Sequence, residues 1–96
     1  MIRVTIALSG DRFHSILAYV YGDWAVHSDG TPEGWRVTLL NSGRSANPIS
    51  MSKAGARRAA AWLQRHITHD EILDWAELNE SVKARIQQGI EIGADK

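Results

Sequence analysis

Cysteine is absent from the 96 residues of this chain, which excludes a disulfide framework and a thiolate zinc site and fits a reducing compartment. Long apolar runs are absent too. None approaches the ~20 residues that cross a bilayer, so no membrane segment is expected. The opening Met1-Ile2-Arg3-Val4-Thr5 enters alternating sequence at once, without a charged leader before an apolar core. No secretory signal is therefore expected, and the cytoplasm is the expected compartment. Net charge is missing as well, because 11 Lys and Arg balance 11 Asp and Glu. That differs from the basic excess of a simple nucleic-acid-binding domain and from a uniformly acidic mimic of DNA. The chain also lacks a nucleophile elbow, the glycines of a phosphate-binding loop and a cysteine nucleophile. Neither an enzyme nor a cofactor is expected.

What the chain has is a change of character near residue 50. Ile2, Val4, Ile6 and Leu8 alternate with polar or small residues, the period of a strand with one buried face. Ile16 to Tyr21 is rich in β-branched and aromatic residues and ends at the turn Gly22-Asp23. Trp24 to Ser28 is either a third strand or the continuation of the second across a bulge. Residues 29–34 form a loop, and Trp35, Val37 and Leu39 share one face of a further strand. Pro48 demotes its neighbourhood to a short edge strand or a loop. Ser50 and Ser52 are both candidate N-caps for a helix from about Lys53 to His66. Its stripe of Ala56, Ala59, Ala60, Leu63 and Ile67 faces the sheet. Thr68-His69-Asp70-Glu71 matches a capping box and predicts a second helix. Its stripe runs through Ile72, Trp75, Val82, Ile86 and Ile90, with Asn79-Glu80-Ser81 as a possible break and Gly89 and Gly93 weakening its end. The expectation is one α+β domain over residues 1–96: a three- or four-stranded antiparallel β-meander packed by two or three C-terminal α-helices.

Charge is unevenly spread along the chain. Up to His69 there are eight Lys and Arg against four Asp and Glu, +4; from Asp70 onward there are three against seven, −4. Lys53, Arg57, Arg58 and Arg65, with Arg44 in the preceding turn, are candidate contacts for an anionic partner, and no acid lies between Lys53 and His69. Cations at this spacing repel one another slightly. An anionic partner relieves that repulsion, and so does an acidic helix folded against this one. Asp74 and Glu77 are the candidate contacts of the acidic pole. The plain alternative for both sets is a solvated helix face.

His66 and His69 with Asp70 and Asp74 have metal-ligand residue types. The cap at Thr68 separates the two histidines, and a helix end accounts for them without a metal, so none is expected. Ser9-Gly10-Asp11 with His14 has the residue types of hydrolytic chemistry, in a turn where Ser, Gly and Asp belong anyway. Four tryptophans is many for this length. Trp35 and Trp75 belong to apolar stripes and are expected in the core. Trp24 and Trp62 divide evenly between core and exposed binding positions, and Trp62 joins the candidate partner contacts.

Gly34-Trp35-Arg36-Val37-Thr38, then Ser42-Gly43-Arg44 and an alanine-rich helix, resembles small proteins of bacteriophages and their hosts over residues 34 to about 67. Among these, anti-CRISPR proteins are the best-known class. The resemblance implies a phage or prophage accessory protein without catalytic apparatus, one that occupies a surface of a host complex that handles nucleic acid. Two other readings stand beside it: a nucleic-acid-binding module using the basic helix 53–66, and a small assembly protein that dimerises through a sheet edge or a helix. The chain is expected as a monomer or homodimer.

Overall fold

The computed structural model describes residues 1–7, 13–28, 30, 34–40, 45–47, 50–72 and 80–94. Strands β1 (Ile2–Ala7), β2 (Phe13–Tyr21), β3 (Trp24–Ser28) and β4 (Trp35–Leu39) form one antiparallel sheet in sequence order. Helices α1 (Lys53–His66) and α2 (Glu80–Ala94) come after the sheet, and between them the described residues include a 3-10 turn at Asp70–Ile72. The α+β meander expected from the sequence is present.

Each element has a local cause. Tyr21 pairs with Trp24 across the two residues Gly22 and Asp23, and Gly22 has φ +64°. A positive φ at the first central residue alone is the type II′ pattern, which matches strand twist and needs glycine there. Trp24–Ser28 is therefore a separate strand and not an extension of β2 across a bulge. In α1, alanine favours the helix intrinsically, and Ser52 caps it, its hydroxyl accepting from the Gly55 N–H at 3.0 Å.

The register assigns two sheet faces. Trp24, Val26, Val37 and Leu39 are buried under α1, with Tyr19, Tyr21 and Trp35 partly buried beside them. Trp35 is thus at the margin of the core, not within it. Trp24, one of the two tryptophans left open by the sequence, is fully buried. The face expected to be buried on β1 is the other one. Ile2 and Val4 pair with Ala18 and Ile16 and share the face opposite α1, where Ala18 and Ala25 form a second small cluster with Val4, Ile16 and Leu40. Ile2 is 59% exposed. Strict alternation specifies a face but not the side on which helices settle. Leu8 lies outside the described residues.

Helix α2 packs mainly against α1, antiparallel to it, through Val82, Ile86, Gly89 and Gly93. The two helices approach closest at Gly55 and Gly93. A Cβ on Gly93 would press on the Gly55 carbonyl oxygen and stand 2.7 Å from the Ala59 Cβ; one on Gly55 would stand 2.5 Å from the Gly93 oxygen. The glycines read from sequence as weakening the end of α2 are thus its contact surface, and the helix runs past Gly93 to Ala94.

The outer edge of β4 is closed by the chain itself. Trp35 exchanges backbone hydrogen bonds with Met51, and the Ala46 N–H donates to the Val37 carbonyl at 2.7 Å. Asn47, 1% exposed, supplies what the backbone does not: its Oδ1 accepts from the Val37 N–H at 2.9 Å and its Nδ2 donates to the Trp35 carbonyl. The segment that Pro48 made ambiguous is therefore an edge cover built from isolated bridges. The turn residues 41–44 and Pro48 lie outside the described residues.

Both the helix contact and the edge cover can be tested by substitution. Gly93→Ala forces α1 and α2 apart and should cost about 1–3 kcal/mol in urea denaturation, the range for overpacking. Asn47→Ala leaves the buried Val37 N–H without its partner and should cost about 1–3 kcal/mol, with faster hydrogen exchange at that amide.

Candidate interaction surface

The tertiary structure separates the cations of α1 onto two flanks. Lys53 and Arg57, one turn apart, lie over the aromatic margin of the sheet. The Lys53 ammonium is 5.3 Å from the Tyr19 ring centre and 5.4 Å from that of Trp35, and the Arg57 guanidinium is 4.2 Å from Tyr19. Arg57 Nε also donates to the Tyr21 hydroxyl at 2.8 Å. Among the described residues the terminal nitrogens of Arg57 have no hydrogen-bond partner, so its planar fork remains available to a carboxylate or phosphate. Tyr19 and Trp35 meet at 6.3 Å between ring centres, tilted by 43°. Lys53, beside the Tyr19 phenol, lowers its pKa, and the charge of Arg57 acts the same way. The bond to Tyr21 raises the pKa of Arg57.

This surface continues onto β1 and β2. Arg3 pairs in register with Leu17, on the same sheet face as Tyr19. Beyond Tyr19↔Val26 the β2–β3 ladder ends, and among the described residues the first half of β2 pairs only with β1. Where the two strands part lies a cleft of about 490 Å³ lined by Met1, Arg3, Leu17, Ser28 and Trp35, among others. Arg3, Tyr19 and Trp35 were not among the candidate contacts read from sequence. The one local signal was the density of Tyr and Trp between residues 19 and 35; what brings them to Lys53 is the packing of α1 across β3 and β4.

The other sequence candidates lie elsewhere. Arg58 is on the opposite flank and donates to the Gly93 carbonyl at 3.1 Å, so it helps anchor the end of α2. Trp62 is half-buried and stacks on His66 at 4.1 Å between ring centres. Arg65 is exposed in the last turn of α1. Arg44, Asp74 and Glu77 lie outside the described residues, as do Trp75 and the Ser9-Gly10-Asp11 turn.

Of the acidic segment from Asp70 onward, Asp70 and Glu71 stand in the 3-10 turn. Helix α2 carries Glu80 and Glu91 against Lys83 and Arg85, so it is not an acidic helix. Of the predicted stripe, Asp70–Ile72 is a 3-10 turn and α2 spans Glu80–Ala94, while residues 73–79 lie outside the described residues. The capping box does form, around the 3-10 turn: the Thr68 N–H donates to Glu71 Oε1 at 2.9 Å and the Glu71 N–H to the Thr68 hydroxyl at 3.3 Å. Glu71 then meets Arg85 of α2 in a two-pronged ion pair, and Arg85 Nη1 caps the free carbonyl of His66 at 2.8 Å. Lys53 and Arg57 thus rest against aromatic rings, and Arg58 reaches a helix-end carbonyl. His69 turns away from His66 and donates from Nδ1 to Asp23 at 2.8 Å. Among the described residues no three His, Cys, Asp or Glu side chains are grouped to hold a metal. No described helix is long and apolar enough to cross a membrane.

Comparison with protein-family models, with curated proteins and with solved structures finds no match for this chain.

The Glu71 lock carries a pH signature. Hydrogen bonds from Arg85 first, and from the Thr68 N–H next, lower its pKa from the ordinary 4.5 to about 2. A folded-state pKa below the unfolded one stabilises above the unfolded value, and that stabilisation is lost as pH falls towards the folded value. Thermal melts of the parent should therefore lose stability between pH 4.5 and about pH 2, and Glu71→Gln should flatten that part of the profile.

Proposed function

We propose that this protein acts by binding, as a small accessory or inhibitor protein of the phage type. Its target in this reading is a complex that handles nucleic acid, such as a host defence effector of the CRISPR kind. The observation that carries the reading is the surface of Lys53 and Arg57 held over Tyr19, Tyr21 and Trp35. Tyr, Trp and Arg are the residue types that dominate the energetics of protein interfaces. Cations already braced by rings lose less freedom on binding than free side chains do. An acidic protein surface is the complement. The bacteriophage resemblance of residues 34–67 points the same way.

Direct binding of single-stranded nucleic acid is the second reading, because cations and rings alternate on the same surface. It is less well supported. Arg57 lies on the face of Tyr19 that a base would use for stacking, and Lys53 sits close above both Tyr19 and Trp35.

Capture from nuclease-treated host lysate separates the two. The double variant Lys53→Glu, Arg57→Glu should keep the parent's circular dichroism and lose its protein partner, because reversed charges meet like charges. Arg65→Glu, off this surface, should retain capture. Equal loss in Arg65→Glu would show that overall charge, not this surface, is responsible. Retention by the double variant would remove the proposal. Capture that vanishes with nuclease, together with salt-sensitive binding of a labelled single-stranded oligonucleotide in fluorescence anisotropy, would establish the second reading instead.

A further inference from the structure

The two edges of the sheet are treated differently. On β4 the outward backbone groups of Trp35 and Val37 are all taken up by Met51, Ala46 and Asn47. On β1 no described residue pairs with the outer edge; the strand's ladder is with β2. Of the usual guards of a lone edge, β1 carries one charge, Arg3, near its start. Ile2-Arg3-Val4-Thr5-Ile6-Ala7 contains no proline and no lysine, and its pairing with β2 runs unbroken over six residues. Exposed apolar side chains gather at the same end. Of the five large exposed ones among the described residues, Met1, Ile2, Leu17 (49%) and Val20 (37%) lie on or beside β1 and β2, leaving only Ile92 elsewhere.

Which groups face outward is set by the turn at Gly22. A two-residue hairpin makes Tyr21 and Trp24 a hydrogen-bonded pair, so Tyr21 and Tyr19 direct their backbone groups at β3. Ala18 and Ile16 then direct theirs at β1, to Ile2 and Val4. The outward residues of β1 are therefore Arg3, Thr5 and Ala7. The same alternation makes Trp35 and Val37 the outward residues of β4, as their bonds to the edge cover show.

We propose that β1 pairs antiparallel with β1 of a second copy of this chain, about a two-fold axis at Thr5, to give a dimer with one continuous eight-stranded sheet. In that register Thr5 faces Thr5 of the partner subunit and Arg3 faces Ala7 of the partner subunit. About six backbone hydrogen bonds form, two at each outward position, and no like charges stand opposite. A register centred on Arg3 would oppose two guanidinium groups. The two-fold arrangement closes the edge of β1 on itself, which suits a symmetric dimer. A six-residue ladder is only ~20 Å long, so the interface is at the small end of the specific range and the dimer dissociates on dilution. This pairing does not depend on the function proposed above.

Sedimentation velocity from about 1 μM to about 1 mM is the first measurement. It should show a reversible monomer–dimer equilibrium. Thr5→Pro removes an outward N–H that β2 does not use, which an edge strand tolerates. It should weaken the dimer at least about ten-fold, with unchanged circular dichroism. Thr5→Lys and Thr5→Glu give an independent reading should the proline variant fail to fold. Each alone places like charges at the axis and should weaken the dimer by up to roughly five-fold, whereas their equimolar mixture should restore it. A chain monomeric at about 1 mM, a dimer indifferent to Thr5→Pro, or a charge pair that does not rescue would each overturn the proposal. A chain that stays monomeric but takes up an extended peptide, with new exchange protection at Arg3, Thr5 and Ala7, would assign the edge to a foreign strand instead.

Discussion

Helix α1 is enclosed on two sides, and the structure depends on both sides being small. Ala56, Ala59 and Ala60 are fully buried, with Leu63 as the one large buried side chain of the helix. Gly55 at its start and Gly93 of α2 let the two helix backbones meet almost directly. Dispersion between close-packed atoms is weak per pair and large in sum, and it is lost quickly with distance. Large residues at these positions would lift α1 from the sheet or α2 from α1. The sheet supplies the bulk in return, through Trp24, Leu39, Val26 and Val37.

With two sides of α1 used for packing, its charges are left on two flanks, and each flank acquires a different role. On the flank towards β2 and β4, Lys53 and Arg57 rest on aromatic rings. On the flank towards α2, Arg58 reaches the carbonyl of Gly93. A helix-end carbonyl carries partial negative charge and attracts a cation. The first pair stays on the surface with hydrogen-bonding capacity to spare, and the second is spent on the fold. The same division holds at the other end of the helix layer. There Arg85, Glu71 and Thr68 link the exit of α1 to α2, so Glu71 serves the fold as much as the surface.

The sheet shows a comparable contrast. Its helix-covered face is a core of large side chains, while its opposite face has the small pair Ala18 and Ala25 ringed by Val4, Ile16 and Leu40. On that second face His27 is fixed in one tautomer. Its Nδ1 lies 2.9 Å from the Ser28 carbonyl, which can only accept, so Nδ1 carries the proton and Nε2 accepts from the Thr38 hydroxyl at 2.7 Å. Beside one such polar contact, the apolar residues of β1 and β2 are left with little cover.

Local features were legible in the chain before any packing was known. The bounds of α1, a serine cap at Ser50 or Ser52 and its alanine stripe come from helix propensity, a hydroxyl acceptor and a period of 3.6, all expressed within a few residues. The structure chooses Ser52. The strand Trp35–Leu39 and the capping box at Thr68 were legible from similarly local signals, whereas Trp24–Ser28 became a separate strand only once its pairing with Tyr21 was known. Features that needed a distant partner were settled only by packing. Alternation on β1 defined an apolar face without saying that α1 would settle on the other side of the sheet, over β3 and β4. Gly89 and Gly93 look like weak points in an isolated helix and become contact points only when α1 lies against them. Asn47 is an ordinary loop residue until the edge of β4 presents an unpaired N–H. Lys53 and Arg57 were visible as cations, but their distinction from Arg58 depends on which flank of α1 meets the aromatic rings and which meets α2. Side-chain chemistry is written residue by residue, whereas the direction of a charge is set by the packing of the element that carries it.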